Sequence, residues 1–183
     1  MVHKNKILAI IFAKDDEHLI KYCLLQVSEL ADGIVLFLDE SNRITNEYVR
    51  IVKDHIEEKV DELKIIPVRY DYNFVELNEF AYKYIKNNYL GEYDYLWKVL
   101  GDLVFEEGFE EYIKGVIEKY KGRKIIVDLD FYNIVMALTH YQPQKTWRHP
   151  YFLTFNEELS MKPSKAKDGY FEGLSTVEKF ITK

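Results

Sequence analysis

Ile7-Leu-Ala-Ile-Ile-Phe-Ala13, followed at once by Lys14-Asp-Asp-Glu17, decides how this chain is read. An unbroken apolar run without polar alternation marks a strand covered on both faces, as in a parallel sheet. The run is too short to span a membrane, and no signal-peptide cleavage pattern accompanies it. Downstream, Ile20, Cys23, Leu24, Val27 and the Leu30–Ala31 pair recur at helical spacing. The unit of strand, acidic turn and helix then repeats. Ile34–Leu38 ends at Asp39. Leu63–Val68 reads as a third strand, and Pro67, which cannot donate to a ladder, marks its end or a sheet edge. Tyr93–Val99 runs into Gly101-Asp102, and Lys124–Val127 runs into Asp128-Leu-Asp130. Helical stripes separate them: Tyr48 to Ile56, then Phe74 to Ile85 behind an Asn73/Glu76 capping pair, then Phe109 to Tyr120 with Gly122 placed to end it.

This alternation predicts an α/β fold, a three-layer α/β/α sandwich around a mainly parallel sheet with right-handed crossovers. The 183 residues are expected to form one domain. After Thr139 the periodicity weakens. A strand and loops are expected there, then a short terminal helix from about Ser175 with Val177 and Phe180 inward.

Composition excludes several classes. Apolar residues at 48% and aromatic residues at 15% argue against intrinsic disorder. A net charge of −6 argues against a sequence-independent nucleic-acid binder, which needs a basic face. Cys23 is the single cysteine, so no intramolecular disulfide can form, and its place in an apolar stripe reads as core. A soluble, cytoplasmic protein without a transmembrane segment is expected.

Ligands bind open α/β sheets at the carboxyl ends of the strands. Those ends are acidic here: Asp15, Asp16 and Glu17 after the first strand, Asp39 and Glu40 after the second, Asp102 after the fourth, Asp128 and Asp130 after the fifth. Any one such acid is equally a helix-capping or loop residue. As a set, they would repel one another unless a cation offset them, and carboxylates suit Mg²⁺ or Mn²⁺. The chain has no G-x-G-x-x-G after the first strand, no P-loop, no G-x-S-x-G elbow and no Cys/His spacing for zinc.

Three segments resemble family 2 of the GT-A glycosyltransferases: Lys6–Leu24, Ile34–Thr45 and Tyr93–Phe105. The first resembles the family's opening strand with its acidic element. The second is similar to the strand whose Asp contacts the nucleotide base. The third looks like the strand carrying D-x-D. The resemblance covers about Lys6 to Tyr120. It implies a nucleotide-diphosphate sugar donor, UDP or GDP linked, and a glycan, protein or lipid acceptor. It further implies a divalent metal (Mn²⁺ or Mg²⁺) and an inverting reaction. Residues up to about 122 would bind the nucleotide and residues 123–183 would form the acceptor side. Asp15, Glu17, Asp39, Gly101 and Asp102 would line the donor pocket. Asp102 would bind the metal, with Asp130 as a rival in the literal Asp128-Leu-Asp130 and with His149 or His140 as a further ligand. Asp168, in Lys167-Asp-Gly-Tyr-Phe-Glu172, is the first candidate for the base that deprotonates the acceptor, ahead of Glu157, Glu158 and Asp130; an Asp-Gly turn is the plainer reading of the same residues. One departure stands out: Leu100 occupies the first acidic position of D-x-D. Trp147 is a candidate sugar platform, and Lys145 and Arg148 are candidate contacts for an acidic group. Two other readings compete. One is a phosphoacceptor receiver module, suggested by Asp15-Asp16, and the other is a non-catalytic protein that kept the fold.

Overall fold

The structure, a computed structural model, describes residues 5–16, 19–39, 43–69, 74–129, 132–134, 141–143, 149–157, 160–162, 170–172 and 179–182. The elements run β1 (Ile7–Ala13), α1 (Ile20–Ser28), β2 (Gly33–Asp39), α2 (Arg43–Glu57), β3 (Glu62–Val68), α3 (Phe74–Tyr89), β4 (Tyr95–Leu100), α4 (Phe109–Lys119) and β5 (Ile125–Leu129). Short strands follow: β6 (Tyr132–Ile134), β7 (Tyr141–Pro143), β8 (His149–Thr154), β9 (Ser160–Lys162), β10 (Tyr170–Glu172) and β11 (Lys179–Thr182).

The main sheet has seven strands in the order β11-β5-β8-β4-β1-β2-β3. β1 lies in its interior, and all seven of its residues are buried, which is why its sequence shows no alternation. β3 is an edge strand, which accommodates Pro67. The order β3-β2-β1-β4 differs from the 2-1-3-4-5 order of receiver modules, so that reading fails on topology.

The sheet is covered on both faces. One core cluster joins Ile7, Ala9, Ile11 and Ala13 of β1 to α1, α2 and α4 through Cys23, Leu24, Val49, Val52, Ile113 and Val116. The other joins Leu8, Ile10 and Phe12 to α3 through Leu77, Ala81, Tyr82 and Ile85. The three-layer sandwich is therefore as expected, with one of the described helices on one face and three on the other.

The expectations after Thr139 need correction. β8 inserts antiparallel between β4 and β5, so the sheet is mixed. No helix forms over the last described residues. Lys179–Thr182 is β11, parallel to β5, with Phe180 beside Ile126. Two smaller corrections concern the strand ends. β4 runs from Tyr95 to Leu100 and Tyr93 makes only an isolated bridge to Leu90, while β5 extends through Asp128 to Leu129. No helix among the described residues is long and apolar enough to cross a membrane.

Candidate functional site

The carboxyl ends of β2, β1 and β4 lie side by side, because Ala13 sits beside Leu38 and Phe12 beside Leu100. The rim therefore consists of Asp39, Lys14-Asp15-Asp16 and Gly101-Asp102.

Asp16 organises the turn after β1. Its Oδ2 accepts the Lys14 amide at 2.7 Å, and its carbonyl accepts the Leu19 and Ile20 amides at 3.0 and 2.9 Å, where α1 begins. Asp side chains commonly fold turns this way. Asp15 takes φ 56°, a left-handed conformation that Asp enters more readily than most residues, and it is exposed. Gly101 then closes the turn after β4 onto this one, its amide donating to the Phe12 carbonyl at 2.8 Å. A Cβ on Gly101 would lie 2.6 Å from Asp16 Oδ2, 3.0 Å from Ala13 Cβ and 3.1 Å from Ile20 Cδ1. Glycine is needed here for close approach rather than for an unusual φ.

Asp39 belongs to the other face of the sheet. Phe37 packs with the α3 cluster and Leu38 with the α1 cluster, so the pleat turns Asp39 toward α3. It is 2% exposed. Its Oδ2 lies 3.8 Å from Lys14 Nζ, and its carbonyl accepts Asn46 Nδ2 at 3.3 Å. Asp102 is exposed and, with Asp16, acts on the α1 side. Burial pushes the Cys23 thiol well above the usual range, and the Asp102 and Asp16 carboxylates add to that rise. A thiol held protonated under α1 is core and no nucleophile.

The described strand-end acids thus share one rim without forming one cluster. β1 stands between β2 and β4, a span of two strand spacings or about 10 Å. Among the described residues no group of three or more His, Cys, Asp or Glu side chains could hold a metal ion. Acids at the opposite edge do structural work instead. There Asp94 and Asp32 accept the Lys6 and Ile7 amides, each at 2.9 Å, and Asp61 pairs with Lys6 Nζ at 2.8 Å.

Glu17, Asp130 and Asp168 lie outside the described residues, as do Glu40, His140, Lys145, Trp147, Arg148 and Glu158. His149 opens β8, and the antiparallel pairing places its backbone beside Leu129 at the carboxyl end of β5, on the rim. Asp128 lies within β5 rather than beyond it. Trp97 is core, 1% exposed and stacked on Phe109 at 5.5 Å. Two lysines escaped sequence reasoning: Lys14, paired to Asp39, and Lys98, buried in β4. The available signal for Lys98 was a charge inside the otherwise apolar run Tyr95-Leu-Trp-Lys-Val-Leu100.

The sheet order, the helices on both faces and the polar rim define a fold like that of the GT-A nucleotide-sugar transferases. The chain resembles two solved structures of that fold. A crystal structure of S. aureus TarS 1-349 aligns with a TM-score of 0.50 and 15% sequence identity, over 68% of this chain and 35% of that chain. A second crystal structure of S. aureus TarS aligns with a TM-score of 0.51 and 14% identity, over 72% of this chain and 23% of that chain. The chain therefore spans about a third or less of the length of these proteins, and the likeness is one of fold. No family model matches the sequence, and no curated protein matches it.

Proposed function

We propose that the chain is a glycosyltransferase domain of GT-A type that moves a sugar from a UDP- or GDP-linked donor to a hydroxyl of a glycan, protein or lipid acceptor, with metal assistance and inversion. The observation that carries this reading is the linear rim: Asp39, the Lys14–Asp16 turn and Gly101-Asp102 follow one another across three adjacent strands. A span of about 10 Å suits an extended nucleoside diphosphate better than a compact ligand.

The charge balance favours a cation. Among the described residues at the rim, Asp15, Asp16, Asp39 and Asp102 outnumber Lys14 and Lys98, so a diphosphate arriving alone would meet net negative charge. Asp102 is the described carboxylate that fits a metal ligand: it is exposed and directly follows the turn of β4. Mg²⁺ and Mn²⁺ sites often use one or two carboxylates and complete their shell with phosphate oxygens and water, so Leu100 in place of a first acid is compatible. Asp130 is the rival acid for the ion, and His149 is the proposed further ligand. A bound ion would neutralise the leaving diphosphate. In this reading Asp39 and Lys14 face the base, Asp15 and Glu17 border the nucleotide, and Gly101 holds the β4 turn against the β1 turn where the diphosphate lies. Asp168 removes the acceptor hydroxyl proton, and residues 123–183 form the acceptor side.

Mn²⁺ with UDP or GDP is expected to raise the melting temperature by mass action. Asp102→Ala should abolish that shift and Asp130→Ala should keep it. The absence of a shift with every nucleoside diphosphate, with and without metal, overturns the reading. Leu100 and the lack of a three-ligand group among the described residues favour a second reading, a non-catalytic protein that binds the nucleotide. Nucleotide binding without turnover of UDP-sugars or GDP-sugars would select it.

A further inference from the structure

Asp102 stands on a segment that α1 holds in place. Between β4 and α4 the chain has a turn at each end and no regular structure in the middle. Asp102 and Val104 are exposed, while Leu103 and Phe105 turn inward against the core under α1 and α4. The segment therefore alternates as a strand does. A strand takes its hydrogen bonds from a neighbouring strand, but Phe105 takes both of its own from one side chain. Gln26 Nε2 donates to the Phe105 carbonyl at 2.8 Å, and the Phe105 amide donates to Gln26 Oε1 at 2.9 Å. One orientation of the Gln26 amide serves both bonds.

A second contact comes from the same side of α1, one turn earlier. Cys23 Sγ donates to the Leu100 carbonyl at 3.5 Å, and burial keeps that thiol protonated. The backbone is thus held on both sides of Asp102, at Leu100 and at Phe105. The start of α1 is itself built on the Asp16 carbonyl, which accepts the Leu19 and Ile20 amides, while the Asp16 side chain folds the Lys14–Asp16 turn. A single stiff helix therefore links the turn after β1 to the segment that carries Asp102.

Burial does not call for an amide at position 26. Ile20, Cys23, Leu24 and Val27 are the buried apolar positions of α1, and Gln26 is half-buried beside them, where a leucine would extend the stripe. Phe105 has its own anchor in the core: its ring centre lies 4.6 Å from that of Phe109 and 5.0 Å from that of Trp97. Ring contacts of this kind tolerate a range of offsets. A matched donor and acceptor do not, because each bond is confined in length and angle. What the amide adds is register along the segment, and Asp102 is the exposed carboxylate whose place follows from it.

We propose that Gln26 is a positioning residue for metal binding: its clamp on Phe105 fixes the Asp102 carboxylate relative to the Lys14–Asp16 turn. The inference rests on Asp102 as the metal ligand. Gln26 acts through Asp102 and touches neither the ion nor the nucleotide. Small divalent cations demand near-ideal geometry, so a carboxylate free to shift with its segment binds them less well.

Calorimetric titration of the full chain with UDP and with GDP, each in Mn²⁺, tests it. Gln26→Leu removes both bonds and should weaken binding about tenfold, the effect typical of groups that orient a metal ligand. In an Asp102→Ala background the same substitution should cause no further loss, because the group it positions is gone. Val52→Ala lowers the melting temperature by opening a cavity under α2, away from the clamp, and should bind as the wild type does. If Gln26→Leu does not fold, Gln26→Glu, which keeps the acceptor for the Phe105 amide and loses the donor, carries the same cycle. Wild-type affinity in the Gln26 variant, with binding lost in Asp102→Ala, overturns the clamp and leaves the metal reading standing. A further loss on adding the Gln26 substitution to Asp102→Ala, or an equal loss in Val52→Ala, also overturns it and makes Gln26 a purely structural residue. If Mn²⁺ adds nothing to wild-type binding, or Asp102→Ala binds as tightly as wild type, the metal reading falls and the clamp falls with it.

Discussion

The two faces of the sheet meet the same rim with different chemistry. On the α1 side, Asp16 and Asp102 gather around a glycine, and the acids are held by backbone amides or left in solvent. On the α3 side, Lys98 lies over the Phe12 ring and Lys14 pairs with the buried Asp39. The pleat is responsible. Successive residues at a strand end fall on opposite faces, so a rim that reads as uniformly acidic along the chain is divided in space, with Asp16 and Asp102 on one face and Asp39 with its Lys14 partner on the other. The teaching is that convergence at a sheet edge and convergence in a cluster are different claims. The first follows from parallel pairing; the second depends on parity along each strand.

Lys98→Met is the largest expected break in that contrast. Lys98 titrates at about 8 in the folded chain, against 10.5 for an unperturbed lysine. The unfolded chain holds the extra proton between those values, so stability rises as pH climbs from about 8 to about 10.5, and the penalty is fully present below 8. The difference corresponds to about 3 kcal/mol. Chemical denaturation at pH 7 should show Lys98→Met more stable than wild type by an amount of that order. The same variant should lose the wild type's rise in stability above pH 8. A Lys98→Met variant that keeps that rise would show that another group titrates there.

Gly101→Ala probes the opposite face. Crowding against Asp16, Ala13 and Ile20 should destabilise the chain by about 1–2 kcal/mol, and Mn²⁺–UDP protection should fall with it. Asp16→Ala is the smallest of the three, about 1 kcal/mol for the lost Lys14 amide acceptor. Combining the two sharpens the picture. If Asp16 is the main obstacle, the double variant should be less destabilised than the sum of the singles, and strict additivity would place the crowding on Ala13 and Ile20 instead.

Much of the first two thirds of the fold was legible because its signals are local. Ile7–Ala13 and Ile34–Leu38 are buried on both faces and say so in their composition, and Pro67 announced an edge that the strand order confirms. The end of the chain was not legible for the opposite reason. β8 and β11 are short and are defined by distant partners, Trp97 beside Phe152 and Phe180 beside Ile126, so no period within 175–183 distinguishes a strand from the expected helix. At the rim, the positions of Asp39, Gly101 and Asp102 followed from strand ends. Which face each would occupy did not, because that depends on where the strand stops: Leu100 lies inside β4, one residue later than the apolar pattern suggested. Lys98 was passed over because a lone charge in an apolar run looks like noise until its burial is known.

The insertion of β8 between β4 and β5 has a consequence for how the chain is made. A ribosome that has released residues up to 129 has supplied β5 but not the strand that must separate it from β4, so β4 shows a bare edge until His149–Thr154 emerges. During that interval β4 is exposed to wrong partners, including β5 itself or another nascent copy. Truncations ending shortly before 149 should therefore aggregate, and those ending beyond 157 should do so far less.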